Sequence, residues 1–256
     1  MKIGILIFDE MTQLDAMGPF EVFARIPGAT VLLIAKHRRP VKAQFGLTIL
    51  PDTDFRRCPK LDVLCVAGGS GINDLLLDEK ALRFVRRQAK VAKYVTSVCT
   101  GSLLLGAAGL LVGRRAACHW ASLPLLAEFG ATPSSRRIEH DGRLITAGGV
   151  TSGIDFGLWL AAKLVGLTAA KKIQLMIQYD PQPPFRAGTP RQAGKKLTKA
   201  HVGKYRSAQK ARETLVVRAA ARLETAELLA NPEFRRVLRQ HRAGRLKFHP
   251  ASVLDE

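Results

Sequence analysis

Val95-Thr-Ser-Val-Cys-Thr-Gly-Ser102 runs from a β-branched stretch into small residues, and Leu103–Val112 then continues as an apolar run. Tyr94–Val98 has the character of a strand buried on both faces, and Cys99-Thr100-Gly101 opens a helix that continues through Ala108. A strand passing directly into a helix is the unit from which a parallel sheet is wound. Cys99 falls at the junction. A tight strand-to-helix turn lifts a side chain above the sheet, in the manner of the nucleophile elbow of α/β hydrolases. The helix N-terminus there brings partial positive charge and free N–H groups, which favour thiolate over thiol. Cys99 is therefore the candidate nucleophile, and Thr100 places a hydroxyl and a backbone N–H beside it.

Outward from this junction the same alternation repeats. Lys2–Phe8, Val31–Ala35 and Leu61–Ala67 read as buried strands, and Phe45–Leu50 as a weaker one. Met17–Arg25, Glu79–Ala92, Thr151–Leu164 and Thr168–Tyr179 read as helices, the last two broken at Gly166. Arg136–His140 and Arg143–Ala147 flank Asp141-Gly142, a hairpin signal. The fold class is thus α/β, a doubly wound, mostly parallel sheet flanked by helices in a flavodoxin-like sandwich. Pro181, Pro183, Pro184, Gly188 and Pro190 break the pattern. Tyr205–Ala230 is helical again, with Ala208, Ala211, Leu215, Ala219, Ala226 and Leu229 at apolar positions, and Asn231-Pro232 ends it. The division drawn is a main domain over residues 1–194 and a basic helical extension over 195–256.

Reactive groups in an open parallel sheet collect at the carboxyl ends of its strands. Three segments reach such ends: Asp9–Pro19, Gly68–Gly71 and Cys99–Ser102. Asp15 is the candidate acid, since a carboxyl beside a sulfur has its pKa raised and can carry a proton. Gly18-Pro19 is expected to turn the chain back over the sheet edge. Glu21 is the rival acid, and a helix N-cap is the plain alternative for Asp15. Gly69 or Ser70 is placed to give a second N–H to a developing anion. His119, twenty residues after Cys99, is either a partner for hydrolase chemistry or a packed residue beside Trp120. Cys65 reads as core, Cys58 as a loop thiol, and no set of His and Cys has zinc spacing. No metal is expected.

The chain has 256 residues with a formal charge of +19. Residues 195–256 carry 15 Lys and Arg against 6 Asp and Glu, compared with 25 against 15 in residues 1–194. Such an excess favours weak contact with any polyanion. The short run Ile3–Phe8 lacks a cleavage site, no apolar stretch approaches the ~20 residues a membrane span needs, and four cysteines read as thiols, so the cytoplasm is the expected compartment.

Taken together, Gln13-Leu-Asp, Gly18-Pro-Phe-Glu-Val-Phe23, Ala67-Gly-Gly69, Ser97-Val-Cys-Thr-Gly-Ser102, His119-Trp120, Gly148–Gly157 and Ile173-Gln through Phe185 resemble the PfpI/ThiJ superfamily, and within it the isonitrile hydratase family. The resemblance covers Lys2 to about Gly194. It implies a class I glutamine amidotransferase-like fold and hydration of an isonitrile to an N-substituted formamide. No cofactor is implied. Cys99 matches the family's nucleophile, Asp15 its acid and Thr100 its post-cysteine threonine, and members are typically homodimers acting on small molecules. Thr100 stands where the protease-like branch has histidine, and Asp15 where many branches have glutamate. Related glyoxalase or stress-response thiol enzymes, and sensor domains of AraC-type regulators, share several of these segments. The tail is too short for a pair of helix-turn-helix units.

Overall fold

The β-branched runs become the strands of one central sheet, and what joins them decides which ends face each other. The protein is described by a computed structural model over residues 1–223 and Arg239. β1 (Lys2–Leu6) is followed by α1 (Gln13–Phe23) and β2 (Thr30–Ala35). β3 (Val41–Lys42) and β4 (Thr48–Ile49) form a small antiparallel ribbon, and β5 (Thr53–Asp54) lies parallel to β2. β6 (Val63–Val66), α2 (Ile72–Leu75), α3 (Glu79–Val91), β7 (Tyr94–Val98) and α4 (Gly101–Ala107) come next. β8 (Arg115–Ala116) pairs with β9 (Thr132–Pro133), with a 3-10 segment at Leu123–Phe129 between them. The hairpin of β10 (Ile138–Asp141) and β11 (Leu144–Ala147) leads into α5 (Ser152–Val165), α6 (Leu167–Met176), α7 (Pro190–Lys204) and α8 (Arg206–Leu223).

The seven-stranded sheet has the order β10-β11-β7-β6-β1-β2-β5, parallel throughout except for β10. The chain winds outward from β1 through β2 to β5, then crosses back to β6 on the other side of β1. The strand order therefore reverses between β1 and β6. A crevice opens at such a switch point, beyond the carboxyl ends of the strands.

Each helix is placed by its apolar stripe. In α3, Ala81, Leu82, Phe84, Val85, Gln88 and Ala89 are buried while Asp78 caps the N-terminus, accepting from the N–H groups of Lys80 and Ala81. On α1 and α5 the contact is closer. A Cβ at Gly157 would lie 3.1 Å from Val22 Cβ, so a side chain there would need the two helices to give by a few tenths of an ångström. Phe23 and Phe156 close the same interface edge to face, with ring centroids 5.6 Å apart.

Three expectations are corrected here. Gly18-Pro19 does not turn the chain: Pro19 lies inside α1, buried against α5. Packing offsets the backbone bond that proline cannot make. Because α1 begins at Gln13 with Thr12 at its N-cap position, Asp15 stands in the first turn and is not the cap. The strand expected over Phe45–Leu50 shrinks to Thr48–Ile49, since Phe45 has φ +61° and is 96% exposed. Within the tail, the buried stripe of α8 is Val216, Ala219, Ala220 and Leu223, whereas Ala208 and Ala211 are exposed. These buried residues join the same core as the sheet. Pro190, read as part of the non-helical stretch, instead opens α7 at its first position, with Thr189 as the cap. Ala226, Leu229 and Asn231-Pro232 lie outside the described residues.

Candidate active site

Asp15 on α1, Gly68 after β6 and Cys99 after β7 converge at the switch point. Cys99 adopts φ +57°, a left-handed conformation that costs a non-glycine residue of order 1 kcal/mol. Its N–H donates to the Ala147 carbonyl at the end of β11, 3.0 Å away, which ties the turn to the neighbouring strand. The thiol is 5% exposed and Asp15 is fully buried. Asp15 Oδ2 accepts the Gly68 N–H at 2.9 Å, while buried Oδ1 has no hydrogen-bond partner of ordinary geometry. The side chain set against Asp15 is Cys99, close enough for the two to interact directly.

The electrostatics follow from this burial. Desolvation raises the Asp15 pKa to about 7, against the lowering effects of the Gly68 N–H and the Cys99 thiol. The same desolvation, with Asp15 and Cys118 adding to it, pushes the Cys99 thiol well above its usual range, and the Thr100 N–H offsets only part of it. Burial thus works against the thiolate expected from the helix N-terminus, and the dipole of a single short helix offsets only part of it. The site sets a carboxyl whose pKa is raised to about 7 beside a thiol whose pKa burial raises as well.

Thr100 has a different task from donating to a substrate. Its Oγ1 accepts the Gly69 N–H at 2.9 Å and donates to the Gly69 carbonyl at 3.0 Å. The Gly69 N–H is consequently engaged, which corrects the expectation that it faces a developing anion. Ser70 turns outward, its Oγ donating to the Glu10 carbonyl and accepting from Gln44 Nε2. Gly68 is the tight point of the loop: a Cβ there would lie 2.6 Å from Thr100 N and 2.7 Å from Asp15 Oδ2. Glu21 is excluded as the acid, since it pairs with Arg25 on the outer face of α1.

His119 is half-buried, and desolvation, with Arg212 and His201 nearby, lowers its pKa to about 4, so it is neutral at pH 7. Cys118 lies near Cys99 and is buried, with its pKa raised to about 12. Beyond His119 opens a largely apolar cavity of about 550 Å³ between Trp120, Ala121, Leu125 and the α7–α8 pair, including His201, Val202 and Tyr205. Among the described residues no cluster of His, Cys, Asp or Glu could hold a metal ion.

Arg212, which sequence reasoning did not single out, ties α8 to two loops of the main domain. From α8 its Nε donates to Asn73 Oδ1 at 2.9 Å and its Nη1 to Ser122 Oγ at 3.0 Å. It lies one turn before Val216 on the buried stripe of α8, a phase that shows only against the core.

The sequence model of the DJ-1/PfpI family matches residues 1–163. The chain belongs to the DJ-1/PfpI family. A relative from Pseudomonas putida, isonitrile hydratase, is 47% identical over 223 residues, covering 87% of this chain and 98% of that enzyme. A ThiJ/PfpI family protein from Pseudomonas syringae superposes with a TM-score of 0.82 at 40% identity, covering 84% of this chain and 90% of that one. The HTH-type transcriptional regulator GbdR of Pseudomonas aeruginosa is 30% identical over 70% of this chain, which corresponds to 51% of the regulator. The DJ-1/PfpI match ends before α7 and α8, whereas the isonitrile hydratase match extends over most of the chain.

Proposed function

We propose that this DJ-1/PfpI member hydrates isonitriles to N-substituted formamides, a lyase reaction with Cys99 as nucleophile and Asp15 as proton carrier. The observation that carries the reading is the buried Asp15 carboxyl, with one oxygen unsatisfied, set against the Cys99 thiol. The identity to isonitrile hydratase supports the substrate class. Asp15 takes the thiol proton as sulfur attacks the isonitrile carbon, and returns that proton to the same carbon. The product is a thioimidate, R–N=CH–S–Cys99. Water then adds to this carbon, Asp15 again relaying a proton, and the C–S bond breaks to release R–NH–CHO and the thiol. The sum is isonitrile plus water giving formamide, with no redox change.

A thiol whose pKa burial raises suits this order, since the thiolate forms only while the bond to carbon is forming. The cavity beyond His119 is apolar, as an organic substituent on the isonitrile requires. Exposed Leu167, Leu175, Met176 and Phe185 around α6 are the surface that a second copy covers in a homodimer. All four cysteines are free thiols, which fits a reducing compartment such as the cytoplasm. Formamide production from cyclohexyl isocyanide by the purified protein, beside Cys99→Ala, tests the reading. Turnover in the wild type that disappears in the variant supports it. Absence of turnover in both favours instead a non-catalytic sensor or regulatory role.

A further inference from the structure

A second cavity, of about 930 Å³, opens between the outer face of α3 and the segments that follow β2 and β5, and it shares no residue with the Asp15–Cys99 site. Its walls are cationic. Lys80, Arg83, Arg87 and Lys90 form a stripe along one face of α3, and Lys36 and Arg56 stand on the opposite wall. Like charges at such helical spacings repel one another. Elsewhere on the surface the protein neutralises its arginines, pairing Arg25 with Glu21, Arg39 with Asp9 and Arg137 with Asp155. In this cleft it does not. Lys36 pairs with Asp78, but among the described residues no carboxylate pairs with Arg56, Lys80, Arg83, Arg87 or Lys90. Asp54, the carboxylate in the lining, is already engaged, its Oδ1 accepting the N–H groups of Arg56 and Arg57 at 2.9 Å.

We propose that this cleft binds a chain of linked phosphates, free or carried on a small molecule, independently of the chemistry at Cys99. The guanidinium groups are held in place by neutral acceptors. Arg87 Nη2 donates to the Phe55 carbonyl, and its guanidinium carbon lies 5.4 Å from the centre of the Phe84 ring. Phe84 in turn stacks on Phe55, with ring centroids 4.3 Å apart, to give a rigid buried floor. Arg83 Nε donates to the Glu79 carbonyl at 3.3 Å, and Arg86 Nε to the Ala108 carbonyl at 3.2 Å. Carbonyl anchors orient a guanidinium without cancelling its charge, and each fork keeps further N–H donors for phosphate oxygens. The size of the cavity falls within the ~300–1,000 Å³ of small-molecule sites. Lys80 and Lys90 stand about 15 Å apart along the helix, so the stripe matches several phosphates in a row better than one. Both aromatic rings of the lining are buried, so a nucleobase finds no open ring to stack on, which disfavours single-stranded nucleic acid.

Titration calorimetry of the full chain with inorganic tripolyphosphate, at about 50 mM salt to limit screening, tests the proposal. The wild type is expected to bind one tripolyphosphate per chain, with an affinity that falls as salt is added. The combined variant Lys80→Gln, Arg83→Gln, Lys90→Gln changes exposed side chains and leaves the Phe55–Phe84 floor and the Arg87 anchor intact. It is expected to bind at least about tenfold more weakly. Lys171→Gln, Lys172→Gln, Lys196→Gln removes the same charge from exposed positions on α6 and α7, and stays within about twofold of wild type. Equal weakening by the two variants, which is what net charge alone produces, overturns the proposal, as does a wild type that does not bind. Adenosine triphosphate and a single-stranded DNA oligonucleotide are titrated beside it. Triphosphate ester bound as tightly as tripolyphosphate, and lost in the α3 variant, supports the proposal with an ester as the source. Tripolyphosphate bound alone supports it with the inorganic chain as the source. An oligonucleotide bound more tightly than both, and lost in the same variant, overturns it in favour of nucleic acid.

Discussion

At the scale of single residues the account rests on what burial does to two titrating groups. The folded state holds Asp15 at about 7 against 3.8 in a model peptide, so between those values the native protein binds a proton that the unfolded chain has released. Stability therefore falls as pH rises through that window, and above pH 7 the charged carboxylate costs the fold the full difference. Asp15→Asn keeps an acceptor for the Gly68 N–H and removes that cost. It is expected to raise the melting temperature at pH 8 and to leave it nearly unchanged at pH 4, measured by thermal denaturation. The same variant has nothing to relay a proton, so its turnover should fall by at least about a hundredfold, the usual scale of a lost general acid–base. In the wild type, kcat/KM is expected to rise through an ascending limb near pH 7, where the pair passes from two protons to one. A flat profile across that range would remove Asp15 from the chemistry.

At the scale of elements, the loop between β6 and α2 and the turn between β7 and α4 are locked to each other by one hydroxyl. Thr100→Val removes both bonds to Gly69 and leaves a buried N–H unsatisfied, which costs about 1–3 kcal/mol. Its expected result is a lower melting temperature with a reduced kcat and a nearly unchanged KM. Gly68→Ala is expected to be worse, because the added methyl meets the Thr100 amide and the Asp15 carboxylate at once. Much of this arrangement was legible in the chain. Buried strands read as continuous apolar runs, and Cys99, Asp15 and Thr100 follow strand ends, where an α/β sheet collects its chemistry. Other features were not local. Pro19 reads as a breaker until α5 packs on it, and the Gly69 N–H looks free until Thr100 is seen bonded to it. The phase of α8 was misread because alanines recur on several of its faces, so the stripe through Val216 emerged only against the core. Arg212 was hidden for the same reason, as one cation among many in a basic tail.

For the whole molecule, the strand order sets the site, and the C-terminal helices wall an apolar cavity beside the His119-Trp120 segment. If that cavity takes the isonitrile substituent, as proposed, it can be tested in substrate preference. Ala121→Trp fills part of the space, and is expected to raise KM for a bulky isonitrile such as the cyclohexyl compound by about tenfold while sparing a methyl-sized one. Equal effects on both would show that the substituent binds elsewhere. The exposed apolar residues of α6 bear on assembly. Leu175, 81% exposed, lies amid them, and Leu175→Glu is expected to convert a dimer to monomers in analytical ultracentrifugation at micromolar concentration. A wild type that sediments as a monomer would contradict this.

The central claim is a covalent bond between Cys99 and the isonitrile carbon, and the most direct test is to catch it. The protein is mixed with cyclohexyl isocyanide, quenched in acid within a turnover, and its intact mass and Cys99-containing peptide are measured. The account predicts a species heavier by the mass of one isonitrile, carried on Cys99 and missing from Cys99→Ala. Formamide formed at full rate, with Cys99 unmodified at every quench time and Cys99→Ala still active, would contradict it.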